Sequence, residues 1–181
     1  MPEKLLPRFI APMIASVAKE SFNHSDWIFD WIFETKLDGY RALAVIDSTG
    51  KARIWSRYHL PLEPKFPAIG EAVNQLGLRS TILDGEIVAL DEEGVPRFQL
   101  LQKWQKRPTA PVVYVLFDLL WDNGRDVTGK SVVHRRRRLQ PVMARLSERC
   151  TAHGFSLGLI LDFGRTPQLV CSSEACHTYF P

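Results

Sequence analysis

The chain has 181 residues, 45% hydrophobic and 24% charged, which supplies enough apolar side chains for one substantial core. That balance excludes a disordered chain, a collagen-like repeat and a disulfide scaffold, and no apolar run approaches the ~18 residues of a membrane span. Lys plus Arg number 23 against 20 Asp plus Glu, a formal charge of +3 that admits a polyanionic partner without arguing for one.

Residues 1–25 carry prolines and mixed polarity and read as a lead-in segment ending at the turn-like Asn23-His24-Ser25-Asp26. Met1 to Phe9 lacks the long apolar core of a secretory signal, so the expected compartment is cytoplasmic. Asp26-Trp27-Ile28-Phe29 is then repeated at once as Asp30-Trp31-Ile32-Phe33, rich in residues that favour strands. A four-residue insertion preserves strand parity, so the repeat either lengthens a strand or bulges from it.

Ala42 to Ile46 reads as a strand closed by Ser48-Thr49-Gly50, and Lys51 to Arg57 as its hairpin return. Phe66, Ile69, Val73 and Leu76 have helical spacing. Thr81 to Leu90 reads as a strand interrupted by Asp84-Gly85-Glu86, followed by a turn at Asp91 to Gly94 and a short helix around Phe98 to Gln105. Val112 to Leu120 is the most apolar strand candidate, and Val133 to Arg149 a helix expected to break at Pro141. Hairpin-linked strands with scattered short helices predict an α+β domain with mostly antiparallel sheets. Cys150, Cys171 and Cys176 lack a CxxC spacing and read as free thiols; a metal role for Cys171, Cys176 and His177 lacks a fourth ligand.

Three places break the apolar text with groups able to do chemistry. Lys36 lies between an apolar strand and the Asp38-Gly39 turn. A lysine nucleophile must be neutral, which requires desolvation or a neighbouring cation, and Arg41 is such a cation. Asp38 is placed to hold a magnesium ion or orient the amine, and Gly39 lets the backbone turn tightly beneath a ligand. By spacing alone these residues are equally an ordinary charged hairpin. Asp84 and Glu86 sit inside an apolar strand, which costs desolvation unless they face a solvated or ligand-filled cleft; the alternative is a bulge at Gly85 that turns Glu86 to solvent. Phe117-Asp118 poses the same question, with Phe117 either core or base-stacking. The basic run His134 to Arg138 reads first as a solvated helix face, with one or two arginines available to nucleic-acid phosphates.

In order, these residues resemble the covalent nucleotidyltransferases: ATP-dependent DNA ligases, RNA ligases and mRNA capping enzymes. Glu34-Thr35-Lys36-Leu37-Asp38-Gly39-Tyr40-Arg41 is similar to the KxDGxR motif, Ser56-Arg57 to the start of the next, Asp84-Gly85-Glu86 to the third, and Tyr114 to Leu119 to the motif whose aromatic residue stacks on adenine. Phe66-Pro67 and Phe98-Gln99-Leu100-Leu101-Gln102 look most like bacterial end-joining DNA ligases. The resemblance implies an adenylation domain that forms lysyl-AMP on Lys36 from ATP and passes AMP to the 5′-phosphate of nicked or broken double-stranded DNA before sealing. It implies Glu34 beside adenine, Arg41 and Glu86 near the ribose, Arg57 on phosphate and Phe117 on the base, with Asp38 and Gly39 lining the nucleotide. It also implies Mg2+ or Mn2+, with Asp38 and Glu86 as the nearest carboxylates. No membrane partner is implied.

Tyr58-His59-Leu60 replaces the Asn and Gly usual after Ser56-Arg57. The family's later Glu-Gly and Lys-x-Lys motifs are missing too: no lysine follows Lys130, and neither Glu148 nor Glu174 precedes a glycine. The expected organisation is a lead-in over 1–25, a partial adenylation domain over 26–146, and a divergent or truncated tail over 147–181. A partner chain or a missing domain would then supply the late motifs. The alternative function is an inactive or partial nucleotide-binding remnant.

Overall fold

The structure is a computed structural model that describes residues 6–14, 34, 36–104, 106, 110–147, 156–161 and 168–170. The repeat over 26–33, the three cysteines and His177 lie outside the described residues.

Seven strands form one sheet: β1 (Tyr40–Ile46), β2 (Ala52–Ser56), β3 (Thr81–Ala89), β4 (Val112–Asp122), β5 (Arg125–Asp126), β6 (Ser156–Leu161) and β7 (Gln168–Val170). Their order is β2-β1-β3-β4-β6-β7, with β5 paired to β4. Every pairing is antiparallel except β4 with β6. The helices are α1 (Pro67–Gln75), α2 (Phe98–Lys103) and α3 (Val132–Ser147). The α+β architecture with a mostly antiparallel sheet therefore holds, and β6 and β7 lie within the segment read as a tail.

The two faces of the sheet differ because strand side chains alternate. Ala42, Ala44, Ile46, Leu83, Ile87 and Tyr114 face the helices, meeting Ile69 and Val73 of α1, Leu101 of α2 and Leu139 of α3. Leu43, Val45 and Ile82 face the other way, where Leu6, Phe9 and Ile10 of the lead-in segment cover them. Phe9 also stacks on His59 at 4.4 Å. The lead-in thus forms part of the second apolar layer. Arg41, Asp84 and Glu86 belong by the same alternation to this second face.

Edge strand β2 keeps its outer donors occupied. The N–H of Ala52 donates to Asn74 Oδ1 at 2.7 Å and that of Ile54 to Glu63 Oε1 at 2.9 Å, which blunts the edge against strand addition. Pro67 at the start of α1 costs no hydrogen bond, because the first helical N–H groups have no partner within the helix.

Two sequence expectations fail here for physical reasons. β3 runs through Asp84-Gly85-Glu86 without a break, because each of the three residues has its own accommodation, described below. Helix α3 runs through Pro141. The carbonyl that Pro141 leaves without a partner belongs to Arg137, and Arg137, Gln140 and Pro141 are all exposed, so water reaches it.

Candidate active site

The cleft on this second face has a volume of about 880 Å³. Lys36, Glu34, Arg41, Glu86 and Phe117 all line it, together with Asp84, Asp118, Arg135 and Arg136. Residues separated by as many as a hundred positions thus share one concave surface.

Lys36 reaches this cleft because its neighbours are anchored. Leu37 packs against the apolar patch of Val88, Leu90, Val113 and Val115, and Gly39 presses against β3. A Cβ at Gly39 would lie 2.1 Å from the Ile87 carbonyl oxygen, so only glycine permits this approach. The Gly39 N–H donates to Glu86, and the Lys36 charge also favours the ionised Glu86 carboxylate. Burial outweighs these effects and the larger one of the nearby Arg41 charge, and pushes the Glu86 carboxyl up to about 7. The bulge alternative, with Glu86 turned to solvent, is not what the chain does.

Phe117 enters the cleft through the register of β3 and β4. Asp84 pairs with Asp118 and Gly85 with Leu116, leaving Phe117 as an extra residue on β4. A second extra residue, Leu120, lies between the Leu83–Leu119 and Ile82–Trp121 pairs and also lines the cleft. Bulges of this kind re-aim side chains, and both here deliver theirs to the site. Gly85, directly beside the first bulge, is held under Tyr114: a Cβ there would lie 2.3 Å from the Val115 carbonyl oxygen and 2.6 Å from the Tyr114 ring. The Tyr114 hydroxyl crosses to donate to the Ala42 carbonyl at 2.9 Å. The irregularity expected at Gly85 therefore places its extra residue on the neighbouring strand.

The charges beneath the cleft are arranged in pairs. Arg41 grips Asp84 with Nε at 2.6 Å and Nη2 at 2.7 Å, while its guanidinium lies 4.5 Å from the centre of the Phe117 ring. Arg135 grips Asp118 in the same two-pronged way, at 2.7 and 2.6 Å, and donates from Nη1 to the Lys130 carbonyl at 2.5 Å. Arg136 pairs with Glu34 and donates to the Phe117 carbonyl at 3.3 Å. Burial pushes the Asp84 carboxyl up, and the Arg41 guanidinium beside it offsets part of that rise.

The reading of His134 to Arg138 as a solvated helix face holds for the exposed His134, Arg137 and Arg138 and is corrected at Arg135 and Arg136. Arg135 is 8% and Arg136 4% exposed, and both form a wall of the cleft. A signal was present in the sequence: carboxylates inside apolar strands need cations, and this is the densest run of them. The part played by Ile10 to Ile14, which also line the cleft, carried no comparable signal. Asp38 is exposed and outside the cleft lining, and Arg57 is exposed at the turn after β2, where its guanidinium stacks on Tyr58.

The cleft thus brings together an exposed lysine, a half-buried carboxylate and an aromatic ring, a set able to offer an amine beside a surface on which a flat ring can stack. Comparison with known proteins makes this specific. The family model for the ATP-dependent DNA ligase domain matches residues 12–155. The multifunctional non-homologous end joining protein LigD of Pseudomonas aeruginosa is 36% identical over 139 residues, which cover 76% of this chain and 16% of that protein. LigD of Mycolicibacterium smegmatis is 35% identical over 74% of this chain and 17% of its own length. The crystal structure of the ligase domain from M. tuberculosis LigD superimposes with a TM-score of 0.55 at 32% identity, covering 61% of this chain and 36% of that one. A mycobacterial DNA ligase D complexed with ATP and MES gives 0.54 at 31% identity, covering 62% and 36%. The chain belongs to the ATP-dependent DNA ligase domain family. It spans about a sixth of the length of the LigD relatives it matches.

Proposed function

We propose that this chain is the adenylation part of an ATP-dependent DNA ligase, with Lys36 as its nucleophile. The observation that carries the reading is the convergence of Lys36, Arg41, Glu86 and Phe117 on one cleft of nucleotide size. In this reading the Lys36 amine, having lost a proton, attacks the α-phosphorus of ATP; a P–N bond forms, the bond to the β-phosphate bridging oxygen breaks, and pyrophosphate leaves. AMP then passes to the 5′-phosphate of nicked or broken DNA, and the 3′-hydroxyl displaces it as the strand is sealed. Phe117 stacks on adenine, Glu34 lies at its edge, and Arg41 and Glu86 face the ribose. Arg57, exposed after β2, is assigned to phosphate.

Magnesium ions carried on substrate phosphates need only one or two protein carboxylates. Among the described residues no group of three or more ligating side chains forms a dedicated cage, and Glu86 is the carboxylate in the lysine cleft free of an arginine clamp. Glu86 therefore fits as a single protein ligand, with Asp38 able to contribute only from outside the cleft lining. A bound ion would neutralise phosphate charge.

The adenylation unit is assigned to 26–146, with 1–25 as lead-in and 147–181 as tail, in the cytoplasm, with the late motifs supplied by a partner chain or further domain. A second reading, a remnant that binds nucleotide without turnover, is favoured by one sequence fact: Tyr58-His59-Leu60 stands where the family usually has Asn and Gly after Ser56-Arg57. Incubation with α-labelled ATP and a 5′-phosphorylated nicked duplex distinguishes the two. Label appearing first on protein and then on the 5′-strand supports the ligase reading; label on neither, with ATP retained, supports the remnant.

A further inference from the structure

A second cavity, of about 530 Å³, opens beside helix α3 and is lined by Arg79, Arg137 and Arg138 against one carboxylate, Asp122. Arg138 Nε donates to Asp122 at 2.6 Å, so that pair is internally balanced. Arg79 is exposed and tethered through Nη1 to the Ser48 carbonyl at 3.0 Å, a neutral partner that leaves its charge uncompensated. Arg137 is exposed and, among the described residues, has no carboxylate partner. The cavity thus presents two unneutralised guanidinium groups.

The backbone beside it is unusual. Ser80 at φ +44° and Asn123 at φ +47° are both left-handed, and the Gly124 N–H donates to the Ser80 carbonyl at 2.9 Å. This cross-tie fixes the start of β3 against the end of β4 and sets Arg79 across from α3. One run of four arginines therefore serves two cavities: Arg135 and Arg136 face the lysine cleft, and Arg137 and Arg138 face this one.

We propose that this second cavity binds the phosphodiester backbone of DNA, with Arg79 and Arg137 as the phosphate ligands and Arg138 held by Asp122 as part of the wall. Guanidinium groups suit this because their planar fork matches two phosphate oxygens, and such contacts fix a duplex in register without reading its sequence. The site rests on the DNA-ligase reading for its ligand and adds to it a grip on the strand away from the reacting end.

The test is a fluorescence anisotropy titration of the full chain with a labelled, 5′-phosphorylated nicked duplex, between about 50 and about 200 mM NaCl. Each phosphate contact contributes about 0.9 to the slope of log affinity against log salt concentration. The double variant R79A/R137A is expected to bind more weakly with a slope shallower by about 2, equally on duplexes of different sequence, and R79K/R137K to regain most of the slope because charge is retained. Thermal melts of each variant confirm folding, which two exposed side chains do not endanger. A parent slope unchanged in R79A/R137A overturns the site, as does a parent chain that does not bind the duplex. Intact mass of the parent after exposure to ATP separates this from the reading beneath it. An AMP adduct without a slope change rejects the second cavity alone; a slope change without an adduct supports the cavity and rejects lysine adenylation.

Discussion

Asp84 on β3 and Asp118 on β4 stand directly opposite each other in the sheet, and each is gripped by an arginine from a different element, Arg41 from β1 and Arg135 from α3. Two facing carboxylates repel, so neither pair is independent of the other. Together they join β1, β3, β4 and α3 beneath the lysine cleft.

Removing one arginine from this set leaves a buried charge without a partner. Arg135→Ala is expected to destabilise the chain by about 3–5 kcal/mol, read as a lowered urea midpoint. Replacing both partners with apolar groups, Asp118→Leu with Arg135→Met, is expected to recover part of that loss, since breaking a buried pair costs more than omitting it. Equal losses in single and double variants would show that the pair adds nothing beyond packing.

Gly85→Ala drives a methyl group into the Val115 carbonyl and the Tyr114 ring. Neither the β4 backbone nor a tyrosine tied to Ala42 yields readily, and a loss of at least about 1–3 kcal/mol is expected from overpacking. Denaturation midpoints of Gly85→Ala beside Gly77→Ala provide the check, because Gly77 has open space but a φ of +65° and reports backbone strain alone. The alanine at 85 should be the more damaging.

Glu86 gives the fold a pH dependence of definite sign. Its carboxyl is pushed up to about 7 by burial, against an ordinary value of 4.5. Between these values the folded chain keeps a proton that the unfolded chain has lost, so stability falls as pH rises through this window and stays lower above it. Glu86→Gln removes the effect while keeping an acceptor for the Gly39 N–H. Its midpoint should match the parent near pH 4 and exceed it increasingly up to pH 8. A constant difference across that range would contradict the buried, raised carboxyl.

Phe117→Ala removes the ring that the bulge brings into the cleft. Base–aromatic stacking is worth about 1–3 kcal/mol, so ATP affinity is expected to fall roughly tenfold or more, while Phe117→Tyr stays near the parent. Isothermal titration with ATP measures this directly. An unchanged affinity in Phe117→Ala would place adenine elsewhere.

Much of this arrangement was legible in the residues. The strands read over Ala42 to Ile46 and Thr81 to Leu90 and the helical spacing of Phe66 to Leu76 correspond to elements of the fold, and Lys36, Asp84, Glu86 and Phe117 of the ordered motifs line one cleft. What was not legible depended on distant partners. Whether Asp84 breaks a strand turns on Arg41 lying across the pair in β1, and whether Arg135 and Arg136 are solvated turns on Asp118 and on the Phe117 carbonyl. Local pattern also cannot show that Pro141 lies on the wet side of α3, nor that Leu6 to Ile10 fold back over the second face.

The central claim is that Lys36 takes up AMP. Intact-mass measurement of the chain after incubation with ATP and magnesium, beside Lys36→Ala and a sample then treated with pyrophosphate, tests it most directly. The account predicts a gain of one AMP on the parent alone, reversed by pyrophosphate. A parent chain that binds ATP yet stays at its own mass, or an adduct that survives in Lys36→Ala, would contradict it.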